Sequence, residues 1–176
     1  SGAPLVGEWK SQGLAVRAKT LDGRAIRGAD RAFRLSQATL GGVESVTLDQ
    51  SQRKTLLTCS SARFTAMDQE SGTAVLTGGV RLVSTASDGA VVTLTGTKAD
   101  LALMLGRTST WPIRTGTIEG PVTITMTSKD SQGRPTKMSA TGAKLTYEDS
   151  TRKLRLTGGV TISGEDSVMG GEARGR

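Results

Sequence analysis

Histidine is absent from this 176-residue chain, and there is one cysteine. The first absence removes Ser-His-Asp and Cys-His nucleophilic catalysis together with the common zinc ligand sets. The second excludes an internal disulfide, and Cys59, inside the strand-like "KTLLTCSSARF", reads as a small buried residue rather than a reactive thiol. Aromatic residues make up only 3% of the chain, and Trp9, Phe33, Phe64, Trp111 and Tyr147 lie too far apart to form a stacking platform for single-stranded nucleic acid. No helix-turn-helix, zinc-finger or RNP-like sequence is present, so a nucleic-acid partner is not expected. No apolar run approaches the ~18 residues of a membrane span; "LALML" at Leu101–Leu105 is typical. No basic segment followed by a long apolar one opens the chain in the manner of an export signal. Asp and Glu are scattered, without the clustered carboxylates or sugar-binding aromatics of a polysaccharide lyase or hydrolase. An enzyme is therefore not expected, and neither is a cofactor or a metal.

What the chain does have is glycine, 23 residues of it, and a repeat. "AVLTGGVRLVS" at Ala74–Ser84 and "LRLTGGVTISG" at Leu154–Gly164 are near copies, "ATLGGVESVTL" is a looser third, and "TIEGPVTITMT" puts Glu119-Gly120 in the same place. Gly41, Gly78, Glu119 and Gly158 are separated by 37, 41 and 39 residues. A unit of about forty residues recurring in register is the signature of a repeat architecture. The units run over approximately 25–55, 56–95, 96–135 and 136–165 of a single domain spanning 1–176, with a polar tail at 166–176.

Within each unit the period is two. Leu154, Leu156, Gly158, Val160 and Ile162 fall on one face, and Lys153, Arg155, Thr157 and Thr161 on the other. Val122, Ile124 and Met126 alternate with threonines, as Leu76, Val80 and Leu82 alternate with Thr77 and Arg81. This is the pattern of strands packed on one face and wet on the other, built from β-branched residues that suit a pleated surface. Hairpin turns are expected at "DQESG", "ASDGA", "KDSQGRP" and "YEDSTRK". The mid-strand glycine pairs are then expected as corners where a strand bends into a second sheet, giving about 14 short strands. One segment competes: Arg24, Arg27, Arg31 and Arg34, with Ile26, Ala29 and Phe33, recur at helical steps behind Asp22 as N-cap. Gly28 would cost that helix ~1 kcal/mol, and the repeat alignment makes Ala32–Leu35 a strand, which is preferred.

The net charge is +7, and Lys10–Arg34 alone carries seven bases against Asp22 and Asp30. Such an excess suits an anionic partner as well as a merely solvated face. The aliphatic faces could likewise close into a dry core or stay open as a groove for acyl chains, each buried CH₂ contributing about 0.8 kcal/mol. In the groove case the bases Arg63 and Lys144, equivalent in the two best copies, and Lys98 would meet headgroup phosphates at its mouth.

The stretches "LTGGVRLVSTASDGAVVTLTGTKADLAL" and "ATGAKLTYEDSTRKLRLTGGVTISGED" resemble the OstA-like repeat of lipopolysaccharide-transport proteins, the resemblance covering about Ala25–Ser163. It implies an all-β, elongated and partly open β-jellyroll, or β-taco, of about four strand-turn-strand repeats in the periplasm. It implies lipopolysaccharide or another anionic glycolipid as cargo, passed on without chemistry towards the outer membrane. Its partners would be other OstA-like proteins, or further copies of itself, joined by edge-strand addition. Whether a segment preceding Ser1 anchors the protein to the inner membrane stays open. The lipid-facing residues implied are Leu76, Val80, Leu82, Leu154, Leu156, Val160 and Ile162, with Leu101, Leu103, Val122 and Ile124 in the third unit and Leu145 in the fourth. The competing reading is a structural β-solenoid that polymerises into a filament or adhesin-like scaffold around a closed, dry interior.

Overall fold

The computed structural model describes residues 5–9, 14–27, 33–50, 53–66, 71–104, 113–151, 153–166 and 172–175. Among these residues there is no helix. The strands are β1 (Leu5–Trp9), β2 (Leu14–Arg27), β3 (Phe33–Gln50), β4 (Arg53–Thr58), β5 (Ser61–Ala66), β6 (Ser71–Ala86), β7 (Val91–Met104), β8 (Ile113–Lys129), β9 (Pro135–Glu148), β10 (Lys153–Thr157), β11 (Thr161–Asp166) and β12 (Glu172–Gly175). The protein is all-β, and every pairing in this sheet is antiparallel.

The helical alternative behind Asp22 is overturned on both flanks, since Asp22 lies in β2 and Phe33 opens β3, while residues 28–32 lie outside the described ones. Among the described residues twelve strands stand where about fourteen were expected, because most strands run through their glycine corner without ending. The expected second sheet is also absent among the described residues. The two halves of each long strand remain in one sheet, whose order is β1-β2-β3-β4-β6-β7-β8-β9-β11-β12. Strand β5 fills the same rung as β4, between β3 and β6, and β10 pairs β9 beside β11. The polar tail is only partly a tail, for Glu172–Gly175 pair with β11.

The corners line up. Pairing slips between Thr77 and Val80 on β6 and again between Glu119 and Val122 on β8. On the rung of β4 and β5 the break comes at Cys59-Ser60, where the Ser60 amide donates to Thr77 O (3.0 Å) and Gly78 O (3.1 Å) and the Ser60 hydroxyl to Gly78 O (2.7 Å). In the last unit it comes after Thr157, where the Ala143 amide donates to Gly158 O (2.9 Å). The result is a crease crossing the sheet from β3 to β11 and dividing it into two arms. At Gly78 the backbone has φ +78°, and a Cβ would lie 2.5 Å from the Ser60 side chain, so glycine is required twice over. Two of the expected hairpin turns are visible in full. Ala86–Ala90 closes with Asp88 accepting from the Ala90 amide, and Asp130–Arg134 closes with Asp130 accepting from the Gln132 and Arg134 amides and the Arg134 guanidinium. Those contacts hold the Asp130 carboxyl below its ordinary pKa. The tip of "DQESG" lies outside the described residues.

Cross-strand register lays the apolar residues in rows parallel to the crease. One row on the β5/β10 arm runs Leu21, Leu40, Ala62, Leu76, Ala99, Ile118, Leu145, Leu156 across eight neighbouring strand segments. On the β4/β11 arm Val16, Val46, Leu57, Leu82, Leu94, Ile124, Ala140 and Ile162 form its counterpart. Ten residues from both sides of the crease pack as one core: Val43, Cys59, Ala62, Leu76, Val80, Leu94, Ala99, Ile118, Val122 and Leu145. With no second layer among the described residues, the face that carries them is covered by the sheet folding on itself along the crease. The accessible surface is 11765 Å² for 18.3 kDa. A compact chain of that mass exposes about 8,100 Å², so the chain as a whole keeps more of its surface in solvent than a compact one does.

Cys59 sits at the crease, buried and free, with its thiol pushed up by burial against a smaller opposing hydrogen bond from the Ser61 backbone. Thiolate is the reactive form. A disulfide-exchange reagent at neutral pH is therefore expected to label the folded protein at least tenfold more slowly than the protein in denaturant; equal rates would mean that the crease opens freely.

Candidate functional site

Burial is greatest beside the crease and declines along the inner face. Near it Ala18, Val80, Ala99, Val122 and Leu145 are almost wholly enclosed. Farther out, and towards the C-terminal end of the sheet, apolar side chains on the same face stand in solvent: Met126 40%, Met138 50%, Leu154 61%, Val160 41% and Ile162 46% exposed. Met126 and Met138 face each other across β8 and β9, and Ile124, Ala140 and Ile162 form the adjoining row. Exposed apolar side chains thus gather on one face of neighbouring strands instead of being scattered singly.

The twelve residues expected to meet lipid all lie on these inner-face rows or at the crease between them. The structure divides them by depth. Leu76, Val80, Val122 and Leu145 form the floor and are buried. Leu82, Leu101, Leu103, Ile124 and Leu156 are half-buried walls, and Leu154, Val160 and Ile162 are open. Met126, Met138, Leu57 and Leu94 belong to the same surface. Their period-two spacing was visible in the sequence, but their neighbours depend on register.

The three bases stand elsewhere. Lys98 and Lys144 flank Glu119 in the row Thr77, Lys98, Glu119, Lys144, Thr157, which is the outer face, back to back with Leu76, Ala99, Ile118 and Leu145. Lys98 Nζ pairs with Asp100 Oδ2 at 2.7 Å and Lys144 Nζ with Glu119 Oε1 at 3.4 Å. The hydrogen bond to Asp100 is the first cause of the upward shift of the Lys98 pKa. Arg63 is exposed on the same outer side, one residue from buried Ala62. The bases therefore do not line the mouth of an apolar groove as expected. In a strand, a residue adjacent to a core residue must point the other way.

Inner-face polarity is confined mainly to one arm. Two residues beyond the row of Leu57 and Leu82 lie Thr55 and Ser84, directly opposite each other on β4 and β6 and 93% buried. Their hydroxyls are 3.3 Å apart. Two residues farther along β4, Arg53 holds the rim of the same face and is exposed. Farther across the same arm, on β8 and β9, Ser128 and Thr136 bond at 2.8 Å. A shallow cavity of about 610 Å³ opens on the crease itself, lined by Gly120, Val122, Gly142 and Gly158 among others.

Among the described residues no group of His, Cys, Asp and Glu could hold a metal ion, and no helix is long and apolar enough to cross a membrane. No family model, curated protein or solved structure matches the chain.

Proposed function

We propose that this chain is a non-enzymatic carrier whose folded sheet is an OstA-like β-jellyroll, holding the acyl part of lipopolysaccharide or a related anionic glycolipid and passing it on in the periplasm. One observation carries the reading. The inner face that makes the core runs on towards the C-terminal strands, where its rows hold the exposed Met126, Met138, Leu154 and Ile162, with Val160 exposed beside them. A protein that needed only a core would end those rows with polar residues at the terminal strands, because each exposed large apolar side chain forfeits about 1.5–3 kcal/mol of burial. Acyl chains restore that burial without any specific chemistry. The competing filament or adhesin scaffold needs a closed interior, and the C-terminal rows are open.

The partner mode proposed is edge-strand addition, with related carriers or with further copies. Among the described residues β10 pairs only with β9, and Thr20–Arg27 of β2 pair only with β3. One arm thus offers an unpaired edge at each end of the sheet.

Photo-reactive residues at Leu156 and Ile162 are expected to capture lipopolysaccharide, while Thr157 and Arg81, next to inner-face residues but on the outer face, capture at least tenfold less. Equal capture from both faces would remove the trough. Lipid identified by mass spectrometry in protein purified without detergent is the complementary measurement, and ordered fibres free of lipid would favour the scaffold.

A further inference from the structure

We infer that Arg53, Thr55 and Ser84 form an anchoring site for the headgroup of a single-chain anionic amphiphile, on the inner rim of the β4/β11 arm. The inference rests on the carrier reading and assigns the polar contact that reading lacks, since the bases expected for it lie on the outer face.

Three observations place it. Arg53, Thr55 and Leu57 alternate along β4, so all three share the inner face. Leu57 lies in the apolar row that runs from Val46 through Leu82 to Leu94. A ligand lying there would have hydrocarbon against leucines, hydroxyls at its polar end, and a guanidinium in solvent just beyond. The second observation is the hydroxyl pair. Thr55 Oγ1 and Ser84 Oγ are each on residues 7% exposed, and their 3.3 Å contact is long for an O–H···O bond. Two hydroxyls have two protons, and one mutual bond uses one of them. No other hydrogen bond to either hydroxyl is found among the described residues. A buried donor is thus left over beside an apolar row, a costly arrangement unless something accepts from it. The third is charge. Arg53 has no ion pair among the described residues, unlike Lys98, Lys144 and Arg134. Its planar fork suits the oxygens of a carboxylate or phosphate.

The site therefore takes a headgroup with at least two oxygens, one accepting from the Thr55/Ser84 pair and the others from Arg53. Phosphate and carboxylate share this chemistry, and separate probes distinguish them. Calorimetric titration of the full chain with dodecyl phosphate, laurate and the neutral lauroyl glycerol reads the site directly. Arg53→Gln, at an exposed position that leaves the fold intact, is expected to weaken at least one of the two anions about tenfold and leave lauroyl glycerol unchanged. The double variant Thr55→Val, Ser84→Ala is expected to weaken all three about fivefold with little change in melting temperature. Lys144→Gln changes none of them. A more tightly bound dodecyl phosphate marks the site as phosphate-selective, and a more tightly bound laurate as carboxylate-selective. If all three probes bind the native protein but Arg53→Gln affects them equally or not at all, the anchoring site is overturned while the carrier stands. If the double variant melts lower but binds unchanged, the hydroxyl pair serves packing alone, and this part of the site is overturned. Failure of every probe to bind the native protein overturns both.

Discussion

Val80→Asp is expected to unfold this protein, and Val160→Asp to leave it folded. The two valines occupy the same place in the two best copies of one motif, "LTGGV". They differ in their position across the sheet. Val80 lies mid-sheet on β6, 2% exposed and part of the common core. A carboxylate there must be desolvated or stay protonated, which costs several kcal/mol, and the lost burial of valine adds about 1.5 kcal/mol or more. Domains are stable by only about 5–15 kcal/mol. Val160 follows the last corner and is 41% exposed, so its Asp stays hydrated and costs under about 1 kcal/mol. Circular dichroism melts decide: Val80→Asp without a cooperative transition and Val160→Asp within a few degrees of the native protein. If both variants melt alike, the gradient of burial across the sheet is wrong. Val160→Asp has a second use, because it places a charge on the open apolar face and should weaken acyl-chain capture with the fold intact.

Gly120→Ala is expected to destabilise by about 3 kcal/mol, and Gly79→Ala by about 1 kcal/mol. Both glycines sit on the crease with positive φ, +99° and +79°. At Gly79 nothing lies within 4 Å of an added Cβ, so only backbone strain is incurred. At Gly120 the methyl would fall onto the Thr97 side chain, whose hydroxyl donates to Glu119 O at 2.8 Å. Thr97 would have to turn away and lose that bond, which ties β7 to β8 at the corner. In a chain this size each kcal/mol moves the melting temperature by roughly 2–4 °C, so Gly120→Ala should lower it by about 6–12 °C. The double variant Gly120→Ala, Thr97→Ala relieves the collision. It should recover part of the loss, and no recovery would place the cost in the backbone alone.

The repeat and its period of two made the strands legible, because alternation in "VTITMT" or "LRLTGGVTIS" has no helical reading. The glycine corners were legible too, but their consequence was not. A mid-strand Gly-Gly is compatible with a bend into a second sheet or a crease in one sheet. Only the pairing of Val80 with Gly96 beyond the corner, and of Thr77 with Lys98 before it, shows that the neighbour stays the same on both sides. The twelve apolar candidates came from alternation and fell on the inner face for that reason. Arg63, Lys98 and Lys144 came from matching positions between copies, which places residues in equivalent environments without saying which environment. Their neighbours Ala62, Ala99 and Leu145 are core, and that alone turns the bases outward. Arg53, Thr55 and Ser84 escaped because Thr55 and Ser84 are 29 residues apart and meet only through the β4–β6 register.

The terminal strands are unequal partners to the two arms. β1 pairs only with Leu14–Ala18 of β2, and β12 only with β11, so among the described residues the arm that holds β4 is one strand longer at each end. If copies join end to end, the longer arms meet first, and the shorter arms remain separated by the width of two missing strands, about 14 Å from β10 of one copy to β2 of the next. On the carrier reading, every joint in such a chain of copies would be open at one side, with room there for a bulky sugar portion to hang in water.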